Sequence, residues 1–143
     1  LGPDHEMPSI PSLSDERHLK LSFNDISLPR EGYVPPGQAD VETLVEFIKG
    51  WDPASPMLIH CWAGVSRSTA GAFIAQCVLA PDADELELAK RLRTASPSAT
   101  PNKLMVAYAD TLLDRDGRMI DAVAIIGRGA DAWEGNIFQL SVS

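Results

Sequence analysis

Residues 57–70 read MLIHCWAGVSRSTA, and this stretch decides how the rest of the chain is interpreted. The apolar residues 57–59 predict a short buried strand, and the apolar run that begins at Thr69 predicts a helix. The loop between them is short and contains Gly64. Its backbone N–H groups are therefore expected to point inward and form an anion-binding nest at the helix N-terminus, where the helix dipole adds partial positive charge.

The same loop carries a nucleophile and a cation, Cys61 and Arg67, with five residues between them. The planar guanidinium of arginine matches two oxygens of a phosphate group. The positive field of such a loop should lower the pKa of the thiol from about 8.5 into the range of about 3.5–7.5. A thiolate beneath a bound phosphate is a nucleophile for phosphoryl transfer. The alternative is a buried structural cysteine next to a surface arginine placed there by chance.

Residues 60–68, HCWAGVSRS, resemble the H-C-x-x-G-x-x-R-[ST] signature of the cysteine-dependent protein tyrosine and dual-specificity phosphatases. The resemblance spans roughly residues 19–113 and implies an α/β fold. In that fold a central sheet containing parallel strands is flanked by helices, and the C-terminal half is mostly helical. Residues 1–143 would form a single phosphatase domain. The strand and helix that usually open the family's domain are not visible before residue 17, so the chain is either truncated or completes its sheet differently.

Residue patterns support this fold class. Alternating apolar residues predict a strand at 17–23, and apolar residues at helical spacing predict a helix at 38–49. With the strand at 57–60 they would form a parallel βαβ unit. Further helices are predicted at 69–79 (apolar nearly all round and therefore central), 84–95, 100–115 and 119–126. Asp84 is the expected N-cap of the second of these, and Thr100 with Pro101 the expected start of the third.

Transfer of a phosphoryl group to sulfur leaves an alkoxide or phenoxide that needs a proton from a general acid. Asp25, Asp40 and Asp52 are the upstream candidates. Asp25 follows the first predicted strand at the sheet edge where ligands bind, whereas Asp52 should lie at the opposite edge. Asp40 is more simply a residue that compensates the helix dipole. The resemblance also implies an aspartate on a loop upstream of the nucleophile, so Asp25 is the predicted acid, with a turn-forming role as the alternative.

The resemblance implies further roles near the loop. Ser68 would donate a hydrogen bond to the departing thiolate, and it could also be a helix N-cap. His60 would shape the loop and help to lower the thiol pKa, or it could be a core histidine. Asn102, in a P-x-x-x-P-N segment, would brace the catalytic loop, or it could be a polar residue in a helix's first turn.

The predicted phosphate-binding residues contribute mainly backbone N–H groups and, at Arg67, the guanidinium. They are Trp62, Ala63, Gly64, Val65, Ser66 and Arg67. Trp62 is also a candidate for the pocket mouth, with a packing role as the alternative.

The formal net charge of −8 argues against general nucleic-acid binding, since such proteins present basic faces. The two cysteines do not suggest a disulfide framework, and we expect a reducing, cytoplasmic setting without a membrane segment. Cys77 is interpreted as a buried hydrophobic residue, with a resolving thiol as the alternative. No cofactor or metal is expected, because Arg67 and the loop amides would supply the positive charge.

The sequence therefore predicts a phosphatase that hydrolyses phosphotyrosine, with or without phosphoserine and phosphothreonine, through a phosphocysteine intermediate. Its expected partner is a phosphorylated protein or a small phosphate ester. The alternatives are the same chemistry on a phosphoinositide, nucleotide or RNA 5′-phosphate, or a non-catalytic phosphate-binding module. A rhodanese-like sulfur transferase and a low-molecular-weight phosphatase fit the motif and its position less well.

Overall fold

The computed structural model describes residues 1–142, and the regular structure of this part of the chain is helical. After a single 3₁₀ turn at Asp15–Arg17, the helices are α1 (Gln38–Lys49), α2 (Arg67–Leu79), α3 (Glu85–Ala95), α4 (Lys103–Leu112) and α5 (Arg118–Ile126).

Helix α2 is the centre of the molecule, as its apolar sequence predicts. It packs against α1, α3 and α4, while α5 packs on α3 and α4. Phe73, Ile74 and Cys77 are fully buried along α2. A helix that is apolar on all sides is stable in water only when neighbours cover it on all sides. The N-terminus of α2, where the phosphate-binding loop ends, is therefore fixed by the best-packed element of the fold.

The predicted α/β fold class is wrong for the described residues, because residues 1–142 contain no β-strand and no sheet. The segments predicted as strands, 17–23 and 57–60, are extended but irregular. None of the backbone hydrogen bonds found within residues 1–142 joins one of these segments to the other. The parallel βαβ unit is consequently absent from the structure.

The alternating pattern that suggested strands nevertheless has a physical basis. In the first segment Leu19 and Leu21 pack partly buried against the core and Lys20 between them is exposed. In the second segment Met57 and Ile59 pack in the same way and Leu58 between them is exposed. Alternation of apolar residues reports that one face of an extended segment is covered. It does not report whether the backbone N–H and C=O groups pair with another segment, and here the covering partner is helical.

Segment 57–60 lies very close to helix α2. A Cβ atom added at Gly71 of α2 would lie 3.1 Å from the side chain of Ile59. This close approach brings the chain directly into the loop at Cys61.

The helix boundaries lie within one residue of the predicted ones, except in α2 and α4. Helix α2 begins at Arg67 instead of Thr69, and α4 begins at Lys103 and ends at Leu112. The N-cap of α4 is Asn102, whose side-chain oxygen accepts from the amides of Leu104 and Met105. The predicted start at Thr100 and Pro101 is therefore two to three residues early. Asp84 caps α3 as predicted, through a hydrogen bond from the Glu87 amide at 3.0 Å.

A buried polar cluster holds the C-terminal end of α2 to α3 and to the turn before α5. Arg115 donates to the Glu85 carboxylate and to the Cys77 carbonyl, at 2.8 Å each. Nearby, the buried Asp110 carboxylate accepts from the amides of Gly117 and Met119. Within the part of the chain that the structure describes, no helix is long and apolar enough to cross a membrane.

Candidate active site

The loop between segment 57–60 and α2 wraps around the sulfur of Cys61. The Gly64 amide donates to Cys61 Sγ at 3.3 Å, and Ser68 Oγ lies 3.2 Å from the same sulfur. Gly64 has φ = +70°, a backbone conformation that glycine adopts without steric cost. This turn returns the chain toward the sulfur. Two of the residues that the motif singled out, Gly64 and Ser68, therefore contact the nucleophile directly.

Three carbonyl groups of the loop accept hydrogen bonds from backbone amides of other segments. The Ala63 carbonyl accepts from the Gly135 amide at 2.7 Å, the Val65 carbonyl from the Thr100 amide at 2.9 Å, and the Ser66 carbonyl from the Asn102 amide at 3.2 Å. These three hydrogen bonds come from segments that follow α3 and α5. They fix the outer side of the loop.

Most amide groups of the loop, in contrast to its carbonyl groups, have no hydrogen-bond partner within the described residues. Within residues 1–142, the N–H groups of residues 62, 63, 65, 66 and 67 donate to no protein acceptor. A row of unpaired amides beside a helix N-terminus is the arrangement that binds anions. Sequence analysis predicted the amides of residues 62–67 as the phosphate-binding set, and of these six the amide of Gly64 donates to Cys61 Sγ instead.

The pKa of the Cys61 thiol is below its ordinary value of 9.0. Burial is the largest single influence and would raise this pKa, because it disfavours the charged thiolate. The hydrogen bonds from the side chain and backbone of Ser68 and from the Gly64 amide, together with the charge of Arg67, outweigh it. The site therefore favours the nucleophilic thiolate more than an ordinary cysteine environment does.

Arg67 is the first residue of α2 and keeps part of its hydrogen-bonding capacity unused. One terminal nitrogen donates to the carbonyl of Phe23 at 3.0 Å, which anchors the guanidinium to the segment before Asn24. Its Nε is buried and has no partner among the described residues. A buried N–H without an acceptor costs free energy, and an anion bound at the loop would supply that acceptor.

Asp25 lies beside the loop although the sheet expected to bring it there is absent. Its Oδ1 accepts from Ser66 Oγ at 2.7 Å and from Asn102 Nδ2 at 2.9 Å. The residue is exposed, and Oδ2 makes none of the hydrogen bonds found within residues 1–142. The other two aspartates have local roles: Asp40 accepts from the Gly37 amide at the start of α1, and Asp52 accepts from the Ala54 amide in a turn.

Asn102 is buried and connects three parts of the site. It caps α4, its amide group donates to Asp25 and to the Ile26 carbonyl at 3.2 Å, and its backbone donates to Ser66. Sequence analysis considered a brace of the loop or a polar residue in a helix's first turn, and the structure places Asn102 as the N-cap, one position before α4, with contacts to both Asp25 and Ser66.

The remaining predicted residues lie around the loop without contacting the sulfur. The His60 ring is exposed, with Nδ1 3.4 Å from the Cys61 carbonyl, whereas the groups that lower the pKa of Cys61 are Ser68, Gly64 and Arg67. Trp62 is 69% exposed and stacks on His5 with ring centroids 4.4 Å apart. Trp62 and residues 6–9 line an open cleft at Cys61, so Trp62 is at the mouth of the site.

Sequence analysis missed the contribution of residues 127–142. Gly135 contacts the loop through its backbone, and a Cβ at this position would overlap the Gly64 carbonyl oxygen. A possible signal was the glycine at 135 in a segment with no helical or strand periodicity, since glycine often marks a close approach of two backbones.

Within residues 1–142, no group of three or more His, Cys, Asp or Glu side chains is arranged to hold a metal ion. Comparison with protein-family models, with curated proteins and with solved structures finds no match for this chain.

Proposed function

We propose that the protein is a cysteine-dependent phosphatase that hydrolyses phosphotyrosine, and also phosphoserine or phosphothreonine, in proteins. One observation carries the proposal: next to a thiol with a lowered pKa, five loop amides and the Nε of Arg67 have no acceptor within residues 1–142. These donors suit a phosphate group with several anionic oxygens. The resemblance of residues 60–68 to the phosphatase signature supports the same chemistry.

In the first step the Cys61 thiolate attacks phosphorus, forming a sulfur–phosphorus bond while the phosphorus–oxygen bond to the substrate breaks. The loop amides and Arg67 stabilise the negative charge on the three non-bridging oxygens. The Asp25 carboxyl group donates its proton to the departing oxygen. Because Ser66 and Asn102 both bind Oδ1, Oδ2 is the oxygen available to carry that proton.

In the second step water attacks phosphorus and gives a proton to the Asp25 carboxylate. The sulfur–phosphorus bond breaks, inorganic phosphate leaves, and the thiolate is restored. Ser68 Oγ, 3.2 Å from the sulfur, donates a hydrogen bond to this departing thiolate. The residues return to their initial protonation states, so the cycle consumes only the phosphate ester and water.

The side chains of the loop favour a phosphoprotein over a more highly charged substrate. Trp62, Ala63, Val65 and Ser66 carry no positive charge, and the chain has a net charge of −8. A phosphoinositide or a nucleotide brings additional phosphate groups that uncharged side chains do not neutralise. The exposed Trp62 at the mouth offers an apolar surface for the ring of a phosphotyrosine.

The decisive experiment measures phosphate release from a panel: an aryl phosphate, phosphotyrosine and phosphothreonine peptides, a phosphoinositide and a nucleotide. We expect the highest kcat/KM on the phosphotyrosine peptide and slower turnover of the phosphothreonine peptide. Thiosulfate with cyanide as acceptor is the control for sulfur transfer and should give no product. Phosphate release from the phosphoinositide alone would replace the proposed substrate class, and absence of release from every ester would refute the proposed activity.

A further inference from the structure

Residues 127–140 return from the end of α5 to the phosphate-binding loop. Near its start, this segment is attached to residues 97–100: the Gly129 amide donates to Thr100 Oγ1 at 3.1 Å and the Ala130 amide to the Pro97 carbonyl at 2.9 Å. Farther on, Phe138 and Leu140 pack against the core. Between these two attachments, Gly135 meets the loop.

The contact at Gly135 involves the peptide unit between Ala63 and Gly64. The Gly135 amide donates to the Ala63 carbonyl at 2.7 Å, while the N–H of the same peptide unit, that of Gly64, donates to Cys61 Sγ at 3.3 Å. The described residues contain no cis peptide bond. In a planar trans peptide the C=O and N–H groups point in opposite directions. A bond that holds the carbonyl outward therefore holds the N–H toward the sulfur.

This orientation needs support from outside the loop. Gly64 has no side chain to restrict its backbone, so rotation of the preceding peptide unit is sterically easy. Such a rotation would turn the Gly64 N–H away from Cys61 Sγ. The approach of the two backbones is also very close, since a Cβ at residue 135 would overlap Gly64 O and lie 3.1 Å from Gly64 C. Only glycine fits there without displacement of one backbone.

We propose that Gly135 is a positioning residue for the nucleophile, which fixes the Ala63–Gly64 peptide so that the Gly64 N–H stays directed at Cys61 Sγ. This role concerns the thiol and does not depend on which phosphate ester the enzyme takes. It gives the segment after α5 a function that the sequence did not reveal.

The test is the pH dependence of Cys61 alkylation by iodoacetamide, with the modified peptide identified by mass. In Gly135→Ala the added Cβ displaces the backbone, and the Gly64 hydrogen bond to the thiolate is weakened. We expect the alkylation midpoint to move to higher pH and the rate at pH 6 to fall about tenfold, the effect of losing one hydrogen bond to a charged acceptor. The other charges and titrating groups near Cys61 in the described residues are Arg67, the Leu1 amino group, His60 and the Asp25 carboxylate beside the loop, and the variant keeps all four.

Gly50→Ala is the matched control. Gly50 ends α1 with φ = −82°, and a Cβ there would meet nothing closer than 3.7 Å. This variant should keep the wild-type midpoint. A folded Gly135→Ala protein with an unchanged midpoint would refute the positioning role, even if its melting temperature fell.

A second measurement covers the case in which Gly135→Ala does not fold. In the wild-type protein the Gly135 amide should exchange with deuterium at least about tenfold more slowly than the amides of Glu134 and Asn136. Equal exchange at the three positions would show that the Gly135 amide is not hydrogen-bonded in solution, and this would refute the proposal. Because alkylation and exchange need no substrate, a failure of the phosphatase assay would leave this result standing, and the reverse also holds.

Discussion

Cys61 and Cys77 lie toward opposite ends of α2, and their pKa values move in opposite directions. For Cys77, burial is the largest influence and raises the pKa to about 12, with the Arg115 charge too weak to compensate. For Cys61, burial also acts upward, yet the pKa is lowered by the donors of Ser68 and Gly64 and by Arg67. Low polarity alone therefore keeps a thiol protonated, and only directed donors make it a nucleophile.

The direction of the helix strengthens this contrast. Cys61 is at the N-terminal end of α2, where unpaired amides and the dipole favour a negative charge. Cys77 is near the C-terminal end, where its own carbonyl accepts from Arg115 and where Glu85 and Asp110 add negative charge. A thiolate would be stabilised at the first position and destabilised at the second. The difference between the two cysteines can be tested at several levels.

The largest expected effect is on turnover. Cys61→Ser should lower phosphate release by at least about 10⁴-fold, because removal of a nucleophile disables the whole catalytic unit. Phosphate binding should remain, since the loop amides and Arg67 are retained. Equilibrium binding of inorganic phosphate and initial rates on an aryl phosphate measure the two quantities.

Cys77→Ser is the matched control and should keep turnover of the folded protein within about twofold of the wild type, although burying the hydroxyl should lower the free energy of unfolding by about 1–3 kcal/mol. If Cys61→Ser turned over near the wild-type rate, the phosphocysteine mechanism would be excluded.

The next effect concerns Asp25. Asp25→Asn should lower turnover of a phosphothreonine peptide by about 10²–10⁴-fold, because an alkoxide leaves only with a proton from the general acid. On a nitro-substituted aryl phosphate, whose leaving group departs without that proton, the loss should be much smaller. Initial rates on both substrates give the comparison.

Asp40→Asn is the control for Asp25→Asn, since the hydrogen bond found for the Asp40 carboxylate within residues 1–142 comes from the Gly37 amide at the start of α1. It should have little effect on either substrate. If the rate loss depended on the leaving group in Asp40→Asn and not in Asp25→Asn, Asp25 would not be the general acid.

A direct test compares the alkylation of the two thiols in one protein. A pKa of about 12 leaves roughly 10⁻⁵ of Cys77 as thiolate at pH 7, whereas a thiol at the ordinary 9.0 would have roughly 10⁻². Cys61 lies below 9.0, so its thiolate fraction exceeds that of Cys77 by at least about 10³-fold. The lower nucleophilicity of a less basic thiolate removes part of this advantage, and burial of Cys77 adds to it.

We therefore expect Cys61 to react with iodoacetamide at least about 10²-fold faster at pH 7. The rate should fall as pH drops through the lowered pKa of Cys61, since protonation removes the thiolate. Mass mapping of the two cysteine peptides over time measures both rates. Comparable labelling of Cys77 in the folded protein would contradict the contrast.

Features that depend on residues close together in the sequence could be predicted, whereas features that depend on distant residues could not. Helices α1 and α5 were predicted within one residue, because their apolar spacing and caps are local. The start of α4 was predicted at Thr100, but that residue's amide is used by the distant Val65 carbonyl and Asn102 becomes the cap. The predicted sheet was wrong because backbone pairing between segments 17–23 and 57–60 is a long-range property that neither segment encodes alone.

The candidate site shows the same division. One short stretch contains Cys61, Gly64, Arg67 and Ser68. In the structure Gly64 and Ser68 contact the Cys61 sulfur, and the charge of Arg67 helps to lower the pKa of this thiol. Gly135 could not be found in this way, since it contributes a backbone N–H and the absence of a side chain. Motifs identify side chains that carry chemistry, whereas the backbone contacts that orient them depend on the fold.

The smallest expected effect is that of His60, which was predicted to help lower the thiol pKa. Its Nδ1 lies 3.4 Å from the Cys61 carbonyl, near the limit of hydrogen bonding, and its ring is exposed. It acts on the peptide beside the nucleophile and not on the sulfur. His60→Ala should therefore raise the alkylation midpoint of Cys61 only slightly, with a rate loss at pH 6 of about two- to threefold, as for a weak exposed hydrogen bond. His60→Asn keeps a side-chain donor and should lie closer to the wild type. A loss of tenfold or more in His60→Ala would mean that the ring supports the thiolate as strongly as Ser68 and Gly64 do. Direct donors to the sulfur would then not be enough to explain the difference between Cys61 and Cys77.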